Sequence, residues 1–566
     1  MRGIAAKIRR MGASLMFYFL RSAFVAAILF LSLQLTLSGR DTQAPELDSG
    51  LASANHLYRA GNFAEAEYSY EVLLKTDPKL VPAQIGLVRS LLGQQNLDEA
   101  LETVNAALAV QPNSAALLAA KGDVQLRGGE MAQAEMSYLA AQKLDPKEVR
   151  AQLGLAMLYG SYSLYRRAYD HLQIAHKIAP DDVEVELAWL SMLPRKQRLA
   201  AMQSYLDSPH PDQEEEAKWM TAYLESLKTT ANQPAHACRL VSKVEQTETK
   251  LEGVYTNRHR MRGIALSTKI NNESVLLQVD TGASGIVVNR NFAEKAGLSR
   301  ISAAYFRGIG DHGPQSGYRA LANRIQIGDL EFEDCVIRVT ENSELSGLIG
   351  TDVFGSYLID LDLPEMQLKL SPLPKRPEDS VAPTSLSSEL EESNVGQEDS
   401  EFEQTLTEQK SSIAKSAQHL PRDRYVAPEM ANWTQVFRLG HNFLVQTSVN
   451  DSEPMLFLLD TGSPNNVLSE HAGRQLSKVR SQNRLRIKGM SGDVDRVYSS
   501  AEATLRFGHL QQKNKDIVTL DLSTMNREDK MEVSGFLGFT MLKLLDVKLD
   551  YRDGLVDFEY DPKHRK

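Results

Sequence analysis

The chain has 566 residues, of which 42% are hydrophobic and 24% charged, and its formal net charge is -10. This length exceeds what one hydrophobic core usually serves, so we expect several domains, and the composition is typical of a globular protein. The negative charge argues against a nucleic-acid-binding protein, because phosphates are bound by cationic surfaces. The two cysteines, Cys238 and Cys335, are too few for a disulfide framework or a Cys-based metal cluster, and they fall in different predicted domains.

Residues 1–40 combine a basic flank with an apolar run. The flank carries five basic residues and no acidic residue, and the run from Ala23 to Leu37 is interrupted by only three polar residues. This pattern predicts a signal peptide or an N-terminal membrane anchor, and the sequence leaves open whether the segment is cleaved. Because the positive flank stays on the cytoplasmic side, we expect the rest of the chain to be extracytoplasmic, either in a bacterial periplasm or anchored to the membrane and facing it.

A 34-residue repeat runs through residues 49–182. Small residues fit where two helices touch closely, and proline fits where the second helix of a pair ends. The residues that recur at this spacing are Pro78, Pro112, Pro146 and Pro180; Ala66, Ala100, Ala134 and Ala168; and Ala107, Ala141 and Ala175. The period resembles that of the tetratricopeptide repeat (TPR). This resemblance implies an all-α TPR solenoid of four helix pairs, which we expect to be followed by a helical cap or connector over residues 183–250.

Solenoids of this kind present a concave surface to a segment of another protein. We therefore expect the TPR groove to dock a protein partner or the substrate. The alternative is a spacer that holds the C-terminal half of the chain away from the membrane.

Two copies of a D-T-G motif each follow an apolar, strand-like segment. The first is Asp280, Thr281 and Gly282; the second is Asp460, Thr461 and Gly462, extended by Ser463. Downstream, each copy has a glycine-rich turn and then two apolar residues before a glycine. The turns contain Gly308 and Gly310 in the first copy, and Gly489 and Gly492 in the second; the apolar segments are Leu348, Ile349 and Gly350, and Phe536, Leu537 and Gly538.

This order of motifs resembles the retropepsin-like aspartic peptidase lobe, over residues 255–371 and again over 433–562. The resemblance implies two all-β lobes in which D-T-G lies on a catalytic loop. The glycine-rich turn then forms a flap, and the apolar segment braces the loop. It also implies that Asp280 and Asp460 are catalytic, that the rest of each motif supports the loop, with the threonine hydroxyls orienting it, and that neither a metal nor a cofactor is used.

The chemistry requires two carboxyl groups close together. Two such groups share one proton, since both cannot ionise cheaply at a few ångströms. The ionised group takes a proton from water, while the protonated group hydrogen-bonds the scissile carbonyl, so the expected reaction is peptide-bond hydrolysis by an aspartic endopeptidase. Ser463 stands where the first copy has Ala283. If the Ser463 hydroxyl donates a hydrogen bond to ionised Asp460, the proton of the resting pair should lie on Asp280.

Residues 372–430 are rich in Ser, Glu, Pro and Gln and predict a disordered acidic linker. Such a linker permits the two lobes to pair within one chain, although pairing of first lobes from two molecules stays open.

The second copy has no aspartate after its "FLG" and has Pro464 after the D-T-G-S, which leaves its catalytic competence open. The alternative function is a non-catalytic protein-interaction scaffold of the cell envelope with inactive lobes.

Overall fold

The structure, a computed structural model, describes residues 47–562 with gaps. The gaps are 194, 208–220, 222–223, 225–227, 229–237, 258–259, 307–314, 342–346, 378–420, 475–478, 482–486, 490–491, 495–496, 524 and 527–530. The predicted signal peptide or anchor over residues 1–40 lies outside the described residues. Among the helices that are described, none is both long and apolar enough to cross a membrane.

The N-terminal half is built from helices that follow the 34-residue period. Helix α1 spans 47–59. The others are α2 (Phe63–Thr76), α3 (Val81–Gly93), α4 (Leu97–Val110), α5 (Ala115–Arg127), α6 (Met131–Leu144), α7 (Val149–Ser161), α8 (Tyr165–Ile178), α9 (Val183–Met192) and α10 (Arg195–Leu206). The predicted helical repeats are confirmed, and α9 begins 34 residues after α7, so the period continues beyond residue 182. The chain divides into two compact units after Asn96.

Glycines in the repeats make room for tyrosine rings. In the first unit, Tyr70 of α2 lies on Gly86 of α3, where an added methyl group would be 2.2 Å from the ring. In the second unit, Tyr138 of α6 contacts both Gly122 of α5 and Gly154 of α7, where methyl groups would come within 2.6 Å and 2.3 Å of its ring. Because protein interiors are close-packed, these helices can pack this closely only where glycine has no side chain.

The predicted helical connector over residues 183–250 is wrong at its C-terminal end. Strand β1 (Arg239–Leu240) pairs there with β8 (Leu330–Thr340) of the first lobe. Cys238, directly before β1, forms a disulfide with Cys335 of β8. The two cysteines therefore lie in one domain, contrary to the sequence-based assignment, because the end of the connector is an added strand of the lobe.

The two β-rich lobes repeat one strand arrangement. In each, the strand that ends in the D-T-G aspartate runs parallel to the apolar-apolar-glycine strand, as β4 does with β9 and β15 with β22. A further strand, β5 or β16, pairs antiparallel with that glycine strand. The prediction of two β lobes is thus confirmed.

The first lobe contains β2 (Thr247–Asn257), β3 (Arg260–Ile270), β4 (Glu273–Asp280), β5 (Ile286–Asn289), α11 (Arg290–Lys295), β6 (Ser299–Phe306), β7 (Gln315–Ile327), β8, β9 (Gly347–Gly350), β10 (Tyr357–Asp362) and β11 (Gln367–Pro372). The second contains β12 (Thr434–Gln435), β13 (Phe437–Leu439), β14 (Asn442–Val449), β15 (Met455–Asp460), β16 (Val467–Ser469), α12 (Glu470–Arg474), β17 (Val479–Ser481), β18 (Ile487–Gly489), β19 (Gly492–Val494), β20 (Val497–Phe507), β21 (Leu510–Leu520), β22 (Gly535–Gly538), α13 (Phe539–Leu542), β23 (Asp546–Asp550) and β24 (Leu555–Glu559).

A continuous sheet joins the two lobes within the one chain. Strand β10 of the first lobe pairs antiparallel with β23 of the second; β11 and β2 lie beyond β10, and β24 and β12 lie beyond β23. Ile359 stands opposite Leu549 in this pairing, and both are fully buried in a core to which both lobes contribute. The structure therefore pairs the two lobes internally, which is one of the two arrangements that the sequence allowed.

The turns inside the third and fourth helix pairs contact the second lobe. The main-chain N–H of Glu532 donates to the carbonyl oxygen of Arg127 at 2.7 Å, and the ring of Tyr162 meets that of Phe437 edge-on at 4.7 Å. This part of the helical array and the second lobe thus share one hydrophobic core. Its members include Leu126, Met131, Leu155, Leu158, Leu456, Leu458 and Phe536.

The predicted disordered linker over residues 372–430 is too wide at both ends. Residues 378–420 lie outside the described residues, but the first residue of the predicted linker belongs to β11. Near its other end, the carboxylate of Asp423 accepts hydrogen bonds from the first N–H groups of α8, and the N–H of Arg424 donates to the carbonyl oxygen of Ser163 at 2.9 Å. A helix N-terminus needs such acceptors, so this segment is a cap of α8 rather than a free tether.

A buried carboxylate, that of Asp553, binds residues from both sides of the 378–420 gap. It forms an ion pair with Arg376 and accepts a hydrogen bond from the N–H of Tyr425 at 2.8 Å. Arg552 forms a second ion pair with it, also at 2.8 Å. The side chain of Asp553 is 0% exposed, so these partners supply the solvation that water would give.

Candidate active site

The two D-T-G aspartates meet at the centre of the lobe pair. Strands β4 and β15 end at Asp280 and Asp460, and the two carboxyl groups are hydrogen-bonded to each other. The glycine of each motif lies beneath the opposite carboxyl. A methyl group on Gly462 would lie 2.3 Å from Oδ2 of Asp280, and one on Gly282 would lie 3.2 Å from Oδ1 of Asp460. The absence of side chains at these glycines therefore allows the carboxyl groups to approach.

The two threonines bind each other's loops reciprocally. The N–H of Thr281 donates to Oγ1 of Thr461 at 3.0 Å, and the N–H of Thr461 donates to Oγ1 of Thr281 at 3.0 Å. Their hydroxyl groups donate in turn to the carbonyl oxygens of Leu459 at 2.6 Å and Val279 at 2.9 Å. Both threonines are buried. The structure thus places them where they orient both loops at once, the role that the resemblance implies.

Main-chain N–H groups fix the two carboxyl groups. Gly282 donates to Oδ1 of Asp280 at 2.8 Å, and Gly462 and Ser463 donate to Oδ1 of Asp460 at 2.9 and 3.0 Å. Burial raises the pKa of Asp280. Burial, together with the negative charge of Asp280, raises the pKa of Asp460 well above its usual range. The two carboxyl groups are therefore close enough for the negative charge of one to oppose ionisation of the other.

The sequence-based expectation for the Ser463 hydroxyl is wrong. Its Oγ donates to the carbonyl oxygen of Asn465 at 3.0 Å, a local contact of the kind that serine favours in turns. Only the main-chain N–H of Ser463 reaches Asp460. The expected hydrogen bond from the Ser463 hydroxyl to an ionised Asp460 is thus missing.

The predicted bracing strands lie beside the catalytic loops. In the parallel register, Asp280 is opposite Gly350 and Asp460 is opposite Gly538. A methyl group on Gly350 would lie 2.3 Å from a carbonyl oxygen of the adjacent loop, and one on Gly538 would lie 2.1 Å from its counterpart. These glycines therefore permit close contact between strand and loop. The other predicted bracing residues, all buried, are Leu348, Ile349, Phe536 and Leu537.

The two loops are held by different side chains. In the first lobe, the carboxylate of Asp352 accepts hydrogen bonds from the Ser284 hydroxyl at 2.8 Å and the Gly285 N–H at 2.9 Å. In the second lobe, Thr540 stands at the corresponding position, and its hydroxyl donates to the carbonyl oxygen of Pro464. The second loop is thus braced by a different side chain, although this lobe has no aspartate after its apolar-apolar-glycine segment.

The predicted flaps are described in part. Gly489 and Gly492 stand opposite each other in the hairpin formed by β18 and β19. Gly308 and Gly310 lie outside the described residues, but the strands on either side of them, β6 and β7, pair antiparallel up to Phe306 and Gln315.

Two side chains at the site were not identified from the sequence. Asp352 follows the bracing glycine by two residues, so its position in the motif was a usable signal. His441, in the turn between β13 and β14, contacts the carbonyl oxygen of Gly282 at 3.2 Å. No local pattern marks this histidine, because the contact joins residues of different lobes.

Comparison with known families identifies three matching segments. A tetratricopeptide repeat model matches residues 57–124, a gag-polyprotein putative aspartyl protease model matches 266–356, and an aspartyl protease model matches 445–541. Each protease match contains one D-T-G motif. No curated protein matches the chain.

Two solved structures are similar to parts of the chain. One is a thermophilic TPR protein from Thermus thermophilus, with 20% identity over 32% of this chain and 98% of that one, at a TM-score of 0.27. The other is a retropepsin-like aspartic protease from Rickettsia conorii, with 22% identity over 23% of this chain and 96% of that one, at a TM-score of 0.18.

Proposed function

We propose that this chain, which carries tetratricopeptide repeats and two aspartyl protease domains, is an aspartic endopeptidase with one active site formed by both domains. The observation that carries the proposal is the hydrogen-bonded pair of half-buried Asp280 and buried Asp460, held by reciprocal threonine contacts. A turn with no catalytic role would not require two carboxyl groups to face each other away from most of the solvent, since removing them from water costs free energy.

The two carboxyl groups take different roles in the proposed reaction. Ionised Asp280 accepts a proton from a water molecule, whose oxygen attacks the carbonyl carbon of the peptide bond. Protonated Asp460 donates a hydrogen bond to the carbonyl oxygen and stabilises the negative charge that develops there. The tetrahedral intermediate then collapses, the C–N bond breaks, and the leaving nitrogen takes a proton from the pair.

An extracytoplasmic location is part of the proposal. The disulfide between Cys238 and Cys335 supports it, because such bonds persist in oxidising compartments and are rare in the cytosol. The basic flank and apolar run of residues 1–40 also support a location of the rest of the chain outside the cytoplasm. The chain would then be either exported or associated with the membrane.

The repeats are proposed to dock the polypeptide substrate or a protein partner. The core that α5–α8 share with the second lobe supports this role, since a polypeptide bound by these helices would be held at a fixed position relative to the catalytic loops. A spacer that only holds the C-terminal half of the chain away from the membrane would not need this core.

Cleavage by the purified full-length chain tests the proposed function. A diverse peptide mixture is incubated with the chain from mildly acidic to neutral pH, with and without a statine-type mimic of the tetrahedral intermediate. We expect cleavage that the mimic abolishes. Tight peptide binding without any cleavage would instead support the non-catalytic scaffold.

Alanine substitutions at the two motif glycines should have unequal effects. Neither Gly282 nor Gly462 has a positive φ, so the added methyl group is the main perturbation. In Gly462→Ala the methyl would lie 2.3 Å from an Asp280 oxygen and must displace that carboxyl, so we expect kcat to fall about 100-fold. In Gly282→Ala the tightest contact is 3.2 Å, and we expect a smaller loss. Equal losses in both variants, with unchanged circular dichroism spectra, would contradict this geometry.

A further inference from the structure

The turn between β13 and β14 places a histidine of the second lobe on the catalytic loop of the first. Nε2 of His441 lies 3.2 Å from the carbonyl oxygen of Gly282. A carbonyl oxygen only accepts, so Nε2 carries a hydrogen and donates. Gly440, the preceding residue, has a φ of 60°, a left-handed conformation that glycine adopts without strain and that closes this short turn. The histidine is therefore held in place by a tight hairpin.

The imidazole also acts on the catalytic pair electrostatically. A positive charge on His441 lowers the pKa of Asp280, opposing the effect of burial. Among the described residues, the ionisable groups near this turn include Asp460, which is hydrogen-bonded to Asp280, and Arg438 on β13. The Arg438 guanidinium donates to the Gly440 carbonyl oxygen at 2.9 Å and to the Tyr165 hydroxyl at 3.2 Å, and Tyr551 lies beside it. The Arg438 guanidinium lies 5.3 Å from the Tyr551 ring centroid, and burial raises the pKa of Tyr551, which keeps that hydroxyl neutral.

The corresponding hairpin of the first lobe makes a different contact. Arg260, at the start of β3, places its guanidinium 3.4 Å from Oδ1 of Asn465, just beyond the second D-T-G motif. Each lobe thus reaches the other's catalytic loop from its first hairpin. Arg260 bears a permanent charge, whereas an imidazole is charged only when it binds a second proton. This difference breaks the symmetry of the two half-sites.

We propose that His441 is a positioning residue that makes Asp280 the base of the pair. Its N–H holds the first catalytic loop against the second lobe, and its positive charge keeps the single negative charge of the pair on Asp280. Asp460 consequently retains the proton and serves as the hydrogen-bond donor. This inference rests on the proposed endopeptidase function, and it assigns the two carboxyl groups their separate roles.

The pH dependence of kcat/KM for peptide cleavage by the full-length chain tests the inference. Activity begins, on the acidic side, when the pair loses its first proton, and a nearby positive charge promotes that loss at lower pH. His441→Gln keeps an N–H donor but removes the charge, so we expect the acidic limb to move to higher pH by roughly one unit. His441→Arg provides a permanent charge, and we expect its acidic limb at or below the wild-type position. His509→Gln, in an exposed turn of the same lobe, is the matched control.

The outcomes separate this inference from the function on which it rests. A shift to higher pH in His441→Gln that is absent in both His509→Gln and His441→Arg supports the positioning role. If His441→Gln lowers kcat/KM equally at every pH, the histidine is only structural and the inference is wrong. If the wild-type chain cleaves nothing, the proposed function itself is overturned, and the inference with it.

Discussion

Asp280→Asn and Asp460→Asn are each expected to lower kcat/KM for peptide cleavage by roughly 10²–10⁴-fold, the range that general acid–base groups contribute. Asparagine at position 280 cannot accept a proton from water. Asparagine at 460 donates a hydrogen bond but cannot carry the proton that the leaving nitrogen needs. Because the carboxyl groups of both lobes meet in one site, neither lobe retains a working pair in either variant.

Mixing the two variants distinguishes the internal pair from a pair formed between chains. The sheet that joins β10 to β23 pairs the lobes of one chain, so we expect an equimolar mixture of the two variants to stay inactive. If first lobes paired with each other instead, Asp460→Asn alone would keep its activity. Asp451→Asn is the matched control, since that carboxylate lies in the same lobe and its side chain is 96% exposed.

Asp553→Ala is expected to destabilise the fold by about 3–5 kcal/mol, as the loss of one member of a buried ion pair does. The substitution leaves Arg376, whose side chain is only 10% exposed, without its carboxylate partner. It also removes the acceptor for the Tyr425 N–H, so both sides of the 378–420 gap lose their attachment to the second lobe. The measurement is the urea midpoint of the full-length chain, followed by tryptophan fluorescence and by protease resistance.

An exposed ion pair provides the comparison for Asp553. Arg290 bonds Glu294 and Glu341 on the surface of the first lobe, with its side chain 52% exposed. Arg290→Gln should change the free energy of unfolding by less than about 1 kcal/mol, because water competes for exposed charges. Similar midpoints for Asp553→Ala and Arg290→Gln would show that the buried carboxylate does not hold the segments together.

The repeated elements were predictable because their signals are local. The 34-residue spacing of small residues and prolines reflects contacts between neighbouring helices, so it predicted the helix pairs from composition and period alone. Likewise, an apolar strand before D-T-G and an apolar-apolar-glycine segment after it predicted two copies of one β lobe. Such patterns can be recognised in the sequence because each depends on residues within one helix or strand or in the next element along the chain.

Contacts between distant parts of the chain were not predictable. The disulfide joins residues 97 apart, and it formed only because β1 adds to a strand of the first lobe. The composition of residues 372–430 favoured disorder throughout, yet Asp423 and Tyr425 bind α8 and Asp553. Polar, charged residues signal a solvated linker unless a partner elsewhere in the fold takes up their hydrogen bonds.

The helical repeats, the two β lobes and the two aspartates that end their central strands could all be predicted from the amino-acid sequence. How these parts act together became clear from the folded chain. The tertiary structure paired the lobes within one chain, turned the Ser463 hydroxyl away from Asp460 and brought His441 to the opposite loop. Helices and strands are predictable because hydrophobic periodicity and backbone preferences depend on residues only a few positions apart. The sharing of a proton depends instead on burial and on charges that meet only when the chain has folded.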